Sequence, residues 1–373
     1  MSTAPNATPA LFSPIKVGNM QLQHRIALPP LTRFRSDDND VPTDLMVEHY
    51  AQRASTPGTL LIAEGTIIAP QAGGYPNMPG IWNDEQVTAW RKVTDAVHAK
   101  SSFIFLQLGA LGRAAVPTVL QNAVGGPYDL VAPSAIPVDS DSPIPRTLSM
   151  EEIKEYVQLY VQAAKNAIQA GFDGVEILGA NGYLVDQFLQ SNSNERTDEY
   201  GGSIENRIRF VIEIVDAVAI AIGPERTALR LSPWSTALAM RMADPIPTFS
   251  ALVKHLAAHQ PHLAYLHFIE PRVNGTEDAE LVGENDSNDF ARGVWSPRPL
   301  VLAGGFTRET ALNAAELGEK NVIVAVGRWY TSNPDLPRRW MRGVELTPYE
   351  RATFYTKGVK GYNDWGMWRE TVE

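Results

Sequence analysis

Several apolar runs in this sequence contain or precede residues that are suited to binding an anionic cofactor. Gly304-Gly305 follows one run, Gly327-Arg328 follows the next, and Arg230 lies inside an earlier one. Glycines at such positions let backbone N–H groups approach a phosphate closely, and an arginine side chain pairs with it. A cofactor with a phosphate group would explain these features together.

Three further polar features stand at the ends of apolar runs: Thr32, Gln107 and Asn181-Gly182-Tyr183. Each feature also has a simpler interpretation. Glycines after strands are often plain turns, Arg230 fits a structural ion pair, and Gln107 fits an internal hydrogen bond. Their interpretation as one site therefore depends on a fold that brings the ends of these runs together.

The apolar runs predict eight buried parallel strands, because they are apolar almost throughout and do not alternate. They are Ile26–Pro30, Leu60–Glu64, Phe103–Leu108, Gly174–Leu178, Thr227–Ser232, Leu263–Phe268, Leu300–Ala303 and Val322–Val326. Helical patterns lie between many of them, at Asp84–His98, from the capping box Ser149 to Glu152 up to Gly171, and at Ile208–Ile222, Thr248–His259 and Thr307–Leu317.

This alternation predicts an α/β protein with a (β/α)₈ TIM barrel, in which the carboxyl ends of the strands meet at one mouth. A doubly wound sheet is the alternative, but its phosphate fingerprint is missing. Residues 15–22 predict a β-hairpin around Gly18-Asn19 that forms a lid on the barrel floor. Two long irregular stretches, 109–147 and 271–297, follow strands and so belong to the active face. We expect a single barrel domain over residues 1–373, with its core at about 12–365.

Composition excludes several classes of protein. Of the 373 residues, 44% are hydrophobic and 20% are charged, as in an ordinary globular protein. The net charge of −10 disfavours binding to nucleic acid, and the absence of cysteine removes disulfides and thiolate sites. We find no secretory signal, no membrane-spanning run and no metal motif with a complete ligand set. We therefore expect a cytoplasmic protein that contacts neither nucleic acid nor a membrane.

Longer segments carry a more specific signal. The strongest are GANGYLVDQFL at 179–189 and SNERTDEYGGSIENR at 193–207, supported by PPLTR at 29–33, AEGT at 63–66, LRLSP at 229–233, AGG at 303–305 and VGR at 326–328 continuing to NPD at 333–335. In these segments the chain resembles the Old Yellow Enzyme family of FMN-dependent ene-reductases, and in particular its fungal natural-product branch. The resemblance extends from Phe12 to Asp364.

The resemblance implies FMN as the cofactor and NADPH or NADH as the reductant. It implies that Pro30, Leu31 and Thr32 lie along the isoalloxazine, that Gly65 offers its backbone, and that Gln107 contacts the pyrimidine edge. Arg230 would place a positive charge that stabilises the anionic reduced flavin. The phosphate would be held by Gly304, Gly305, Gly327 and Arg328.

For the substrate, the resemblance implies an α,β-unsaturated carbonyl compound. Asn181 matches one of two hydrogen-bond donors to the carbonyl oxygen. Hydride from the reduced flavin would reach the β-carbon, while Tyr183 protonates the α-carbon from the opposite face. Tyr355 matches a late tyrosine that borders the substrate pocket.

The sequence departs from the family pattern at two substrate-binding positions. Leu178 stands where the family has histidine or asparagine, so the second donor to the carbonyl oxygen is missing. Either another group replaces it, or the substrate binds differently, or simple enone reduction is not the main activity. Gly109 stands where many relatives carry a bulky residue. It should enlarge the pocket, unless another side chain fills the space.

These observations predict an FMN-dependent oxidoreductase of secondary metabolism that reduces activated C=C bonds, on a bulky natural-product-like substrate and as a monomer or homodimer. One alternative keeps the flavin but catalyses desaturation, isomerisation or a redox-neutral rearrangement, because of Leu178. A second alternative is a barrel that binds a ligand without turnover.

Overall fold

Eight parallel strands form a closed barrel in the computed structural model of the chain, which describes residues 8–275, 277–279 and 282–369. The described residues form fourteen strands in all, eight of them in the barrel. In chain order, the fourteen strands are β1 Ile15–Val17, β2 Met20–Leu22, β3 Ile26–Leu28, β4 Leu60–Ile67, β5 Phe103–Gly109, β6 Val131–Ala132, β7 Arg146–Thr147, β8 Gly174–Gly179, β9 Thr227–Leu231, β10 Tyr265–Ile269, β11 Val273–Asn274, β12 Glu277–Asp278, β13 Leu300–Ala303 and β14 Val322–Ala325. The barrel order is β10-β13-β14-β3-β4-β5-β8-β9, and β9 pairs with β10 to close it. The predicted (β/α)₈ fold is confirmed, and the extent of one domain over 1–373 stays a prediction.

Helices lie outside the barrel and in the connections between its strands. They are α1 Asp44–Arg53, α2 Asp84–His98, α3 Pro117–Asn122, α4 Met150–Gln169, α5 Leu184–Leu189, α6 Ile204–Ile222, α7 Ile246–His259, α8 Asp289–Trp295, α9 Arg308–Ala315, α10 Arg328–Ser332 and α11 Leu336–Arg342. Over the described ranges, none of them has both the length and the apolarity needed to span a membrane.

Capping residues set the starts of the longer helices. The Ser149 hydroxyl accepts from the Glu152 N–H, and the Glu152 carboxylate accepts from the Ser149 N–H, so α4 begins at the predicted capping box. Ser203 caps α6, which therefore begins at Ile204, four residues before the predicted start at Ile208. Apolar periodicity alone marks the later residue, because the first turn of α6 is polar.

The barrel interior is filled by apolar side chains from the amino ends of the strands. Val17, Met20 and Leu22 of the hairpin β1–β2 belong to the same buried cluster as Leu60 and Tyr265, the first residues of β4 and β10. The predicted hairpin therefore closes the floor of the barrel. Functional groups are left to the opposite, carboxyl end.

The two stretches predicted as irregular contain short elements. The connection from β5 to α4 holds α3 and the parallel pair β6–β7, and the connection from β10 to β13 holds the hairpin β11–β12 and the helix α8. Two-residue strands and helices of two turns are too short to show a hydrophobic period, which is why the pattern missed them. Both connections leave the carboxyl end of the barrel and build the walls of the mouth.

Candidate active site

A cavity of about 820 Å³ opens at the carboxyl ends of the barrel strands. Its lining includes nearly all the site residues predicted from the sequence, namely Pro30, Leu31, Thr32, Gly65, Gln107, Leu178, Asn181, Tyr183, Arg230, Gly304, Gly305, Gly327, Arg328 and Tyr355. Gly109 is the exception, since it lies behind Leu178. A Cβ atom on Gly109 would stand 3.2 Å from Leu178 Cδ2, so the leucine packs into the space beside the glycine.

Two polar side chains converge at one place on the cavity wall, next to Gly65. A Cβ atom on Gly65 would lie 3.3 Å from Thr32 Oγ1 and 3.5 Å from Gln107 Oε1. The same atom would lie 2.9 Å from Met78 Cε, so a larger residue at this position would push into the wall. A flat ring placed here would meet a hydroxyl and an amide oxygen, which can tune and orient a heterocycle.

A buried polar layer lies beneath this place, inside the barrel. Gln107 Nε2 donates to Glu176 Oε1 at 2.7 Å, and His267 Nδ1 is 2.8 Å from Glu176 Oε2. Arg230 also lines the cavity and is buried, and its Nε has no hydrogen-bond partner. A guanidinium whose Nε is unpartnered at a cavity wall is suited to an anionic or strongly polar ligand.

Gly304, Gly305 and Gly327 line one side of the cavity, which we call the glycine cradle. Gly304 and Gly305 have φ angles of +129° and +61°, a backbone conformation that residues other than glycine rarely adopt. Arg328 follows Gly327 and forms a two-pronged ion pair with Asp278 of β12, in which Nη1 donates to Oδ2 at 2.9 Å. The residues predicted to hold a phosphate thus lie together, and a carboxylate is paired with their arginine.

Asn181 and Tyr183 reach the cavity through a tight turn after β8. Asn181 has a φ of +59° and Gly182 a φ of +81°, and the Asn181 N–H donates to Ser232 Oγ at 2.8 Å. Asn and Gly are the residues that tolerate this conformation best. The turn places the Asn181 amide and the Tyr183 ring side by side on the cavity wall.

Tyr183 shares a hydrogen bond with a second tyrosine, Tyr75. Burial raises the pKa of Tyr183 above its usual value, and the bond to Tyr75 raises it further. Burial also raises the pKa of Tyr75, but the same bond lowers it. Burial, which disfavours the charged phenolate, is the larger cause of both shifts. The Tyr183 hydroxyl therefore keeps its proton near neutral pH.

Leu178 belongs to an apolar patch on the cavity wall. It is buried together with Ala180 and Ile269, and Tyr183 and Val273 pack against this cluster. The position offers no hydrogen bond to a ligand oxygen, so it fits a hydrocarbon portion of the ligand. Beside the patch, Asn274 lines the cavity and accepts a hydrogen bond from Ser235 Oγ at 3.1 Å. Because its oxygen is engaged, the amide nitrogen of Asn274 is the part left to contact a ligand.

The C-terminal segment closes one side of the mouth and carries Tyr355, which is 50% exposed. Two buried arginines hold this segment by its carbonyl groups. Arg33 Nε and Arg35 Nη1 both donate to the Phe354 carbonyl, at 2.7 and 2.8 Å. The Tyr355 ring lies 5.8 Å from that of Phe34, centre to centre.

Several of these residues were not predicted from the sequence, among them Phe34, Tyr75, Glu176 and Asn274. Tyr75 follows Gly73-Gly74 in the loop after β4, where a barrel places active residues, so its location was a usable signal. Glu176 was also visible, because a carboxylate inside an apolar strand must face a polar partner. Asn274 and Phe34 had no local signal, since only the packing of distant segments brings them to the cavity.

The residues present fit FMN. The cavity has the size of a cofactor site, and its glycine cradle with Arg328 suits a phosphate. The polar pair Thr32 and Gln107 and the unpartnered Nε of Arg230 suit the polar edge of a flavin ring.

Comparison with known proteins agrees with this fit. Residues 10–347 match the family described as NADH:flavin oxidoreductase / NADH oxidase. The chanoclavine-I aldehyde reductase fgaOx3 of Penicillium roqueforti is 51% identical over 360 residues, which are 96% of each chain. A probable inactive reductase, easA of Epichloe festucae var. lolii, is 46% identical and covers 98% of this chain and 97% of its own. The crystal structure of Old Yellow Enzyme from Pichia sp. AKU4542 superposes with a TM-score of 0.90 at 39% identity, covering 98% of this chain and 95% of that one.

Proposed function

Since the chain belongs to the NADH:flavin oxidoreductase family, as an Old Yellow Enzyme of the fungal natural-product branch that uses FMN and NAD(P)H, we propose that it reduces activated C=C bonds in bulky α,β-unsaturated carbonyl compounds. The observation that carries this proposal is the single cavity lined by Tyr183, Asn181, Arg230 and the glycine cradle with Arg328. A proton donor and a cofactor site that share one cavity can act on the same substrate.

FMN, when bound and reduced by NAD(P)H, supplies the hydride that adds to the β-carbon of the alkene. Thr32, Gln107 and Arg230 would hold its ring, and Gly304, Gly305, Gly327 and Arg328 its phosphate. Pro30, Leu31 and Gly65 would border the ring without engaging it by side-chain hydrogen bonds.

Tyr183 holds the proton for the α-carbon at its hydroxyl oxygen. The pKa of this group is raised by burial, so it is protonated throughout the neutral range. A weak acid is sufficient here, because the carbon that accepts the proton is strongly basic once the hydride has been added. The hydrogen bond with Tyr75 would keep the Tyr183 hydroxyl in place between turnovers.

The carbonyl oxygen of the substrate would bind the Asn181 amide. Leu178 gives no second donor, and we propose that the Asn274 amide nitrogen supplies it, since Asn274 lines the same cavity next to Val273 of the Leu178 patch. The apolar patch itself would contact the hydrocarbon skeleton. A relative at 51% identity is named an aldehyde reductase, so an unsaturated aldehyde is a natural first substrate to test.

Anaerobic stopped-flow measurements test the proposal. The NADPH-reduced enzyme is mixed with cyclohexenone and, separately, with a polycyclic unsaturated aldehyde, and the flavin absorbance and the product mass are recorded. We expect rapid reoxidation with the polycyclic compound, slow reoxidation with cyclohexenone, and saturated products. A crystal soaked with the aldehyde would show whether Asn274 contacts the carbonyl oxygen.

A second function is favoured by one observation, the apolar side chain of Leu178 at a carbonyl-binding position. A flavin enzyme of this family that catalyses desaturation, isomerisation or a redox-neutral rearrangement does not need two donors to one oxygen. Products with unchanged or reduced hydrogen content would establish it. A yellow protein whose flavin neither nicotinamide reduces would instead indicate a barrel without turnover. The cytoplasmic location and the monomeric or dimeric state stay predictions.

A further inference from the structure

A buried carboxylate beneath the cavity has no part in the proposed reaction. Glu176 of β8 is fully buried inside the barrel and lies opposite Gln107 in the register of β5 and β8. One of its oxygens accepts from Gln107 Nε2 at 2.7 Å, and the other is 2.8 Å from His267 Nδ1. A charge in this location is expensive unless every lone pair is used, so its presence calls for a reason.

The first consequence of Glu176 is the direction of the Gln107 amide. Because Nε2 is bound to the carboxylate, Oε1 is turned the other way, towards the place beside Gly65 where Thr32 Oγ1 also lies. Gln107 therefore presents an acceptor to the ligand. A neutral partner below Gln107 that can both donate and accept would permit either direction of the amide, whereas an ionised carboxylate can only accept and so selects the N–H side.

The second consequence is electrostatic. Burial on its own raises the pKa of Glu176, but the hydrogen bonds with His267 and Gln107 and the charge of Arg230 together bring it below the usual value, so the group is ionised. Burial lowers the pKa of His267, which is therefore neutral. The charged groups of this layer are thus Glu176 and Arg230, and Glu176 is the largest source of attraction for the buried guanidinium.

We propose that Glu176 is a positioning residue that turns the Gln107 acceptor towards FMN, and that its charge offsets that of Arg230 and thereby sets the reduction potential of the bound cofactor. Reduction adds negative charge to the flavin ring. Arg230 favours that charge and Glu176 opposes it, so the pair holds the potential lower than Arg230 alone would.

The test is the midpoint potential of the holoenzyme with Glu176→Gln. Glutamine keeps the shape and can still accept from Gln107, but it removes the negative charge. We expect reduced FMN to be bound at least about tenfold more tightly relative to oxidised FMN, which raises the two-electron potential by about 30 mV. The potential is measured against reference dyes without any alkene, so the result does not depend on the substrate class.

His267→Gln is the matched control, because it changes a neutral side chain in the same buried layer. We expect the midpoint potential of H267Q to lie within about 14 mV of the wild-type value, which corresponds to a change of about threefold or less in the relative binding of reduced and oxidised FMN. Equal potentials for E176Q and wild type would overturn the proposal. So would an equal shift in H267Q, since that would show a general response of the layer to substitution.

E176Q leaves Arg230 buried without its counter-charge and is at risk of misfolding. The double variant E176Q/R230Q removes both charges and avoids that penalty. Compared with R230Q alone, the double variant should have the higher potential, because it lacks the carboxylate. Identical potentials in these two proteins would contradict a role for the Glu176 charge, whatever the outcome for E176Q.

Discussion

At the residue scale, Leu178 depends on the absence of a side chain at Gly109. A Cβ atom on Gly109 would contact Leu178 Cδ2, so the glycine makes room for the leucine that occupies the donor position. The pair explains how the wall can lack a bulky residue at position 109 and a donor at position 178 without an empty space beside the strand. It also means that substitutions at Leu178 have room to be accommodated.

Leu178→His should increase kcat/KM for cyclohexenone. One donor to a developing oxyanion is worth about 10²–10³ in rate, and we expect an imidazole on this wall to recover at least about tenfold. Leu178→Met is the control, since it keeps the volume and adds no donor, and it should give no gain. Steady-state kinetics on both variants make the comparison, and a gain with methionine would show that shape alone limits the wild type.

Tyr183→Phe should slow flavin reoxidation by the alkene by about 10²–10⁴, the usual range for loss of a general acid. Flavin reduction by NADPH should stay close to wild type, because the proton is used only in the second half-reaction. Stopped-flow measurement of the two half-reactions separates these effects. A similar loss in both halves would assign Tyr183 to binding.

The pH dependence of the wild type follows from the raised pKa of Tyr183. A phenol whose pKa is raised stays protonated to higher pH than the usual value of about 10. The rate of reoxidation should therefore show no loss from Tyr183 as the pH rises from about 7 to about 10. A fall with a midpoint below about 9 would contradict the protonation state assigned to this group.

At the element scale, the hairpin β11–β12 contributes a carboxylate to the predicted phosphate site. Asp278 of this hairpin pairs with Arg328, while its neighbour Glu277 pairs with Arg351 at 2.7 Å. The Asp278 carboxylate is therefore in the place where a phosphate oxygen would bind the guanidinium. Adjacent residues on one short strand thus have different partners, and only one of the two pairs involves the cofactor site.

Asp278→Asn should strengthen FMN binding, because Arg328 would no longer have to break its ion pair with the Asp278 carboxylate in order to bind the phosphate. We expect the dissociation constant to fall about threefold, in keeping with the ~0.2–1 kcal/mol of a partly exposed ion pair. Titration of apoenzyme with FMN, followed by quenching of flavin fluorescence, measures the change, which should shrink at high salt. Glu277→Gln is the control, with equal loss of charge and unchanged affinity. Equal tightening in both variants would point to net charge rather than to competition at Arg328.

The elements also show what could be predicted from the sequence. The eight barrel strands were found within a few residues, since strands buried on both faces are apolar throughout. Thr32, Gln107, Arg230 and Tyr183 were found because residues at strand ends share one mouth. The contact of Arg33 with Phe354 links positions 321 residues apart, and no local pattern encodes it. No local pattern encodes the ion pair between Asp278 and Arg328 either, because it depends on a hairpin of two-residue strands.

At the scale of the whole molecule, cofactor binding should stabilise the barrel, because the cavity joins the ends of most of its strands. With free FMN at about 100 times its dissociation constant, linkage adds ~2.7 kcal/mol to the free energy of unfolding. Thermal unfolding of apoenzyme and holoenzyme measures the shift in Tm. Riboflavin, which lacks the phosphate, should give a smaller shift at equal concentration. Equal shifts would mean that the glycine cradle and Arg328 do not hold the phosphate.

The hairpin that fills the floor of the barrel has a kinetic consequence. Val17, Met20 and Leu22 block the amino end, so molecules reach the flavin through the carboxyl mouth. We expect nicotinamide and alkene to occupy the same part of this mouth and therefore to bind in turn, with each product leaving before the next reactant enters. Double-reciprocal plots at several NADPH concentrations should be parallel, and an inert phenol stacked in the mouth should compete with both reactants.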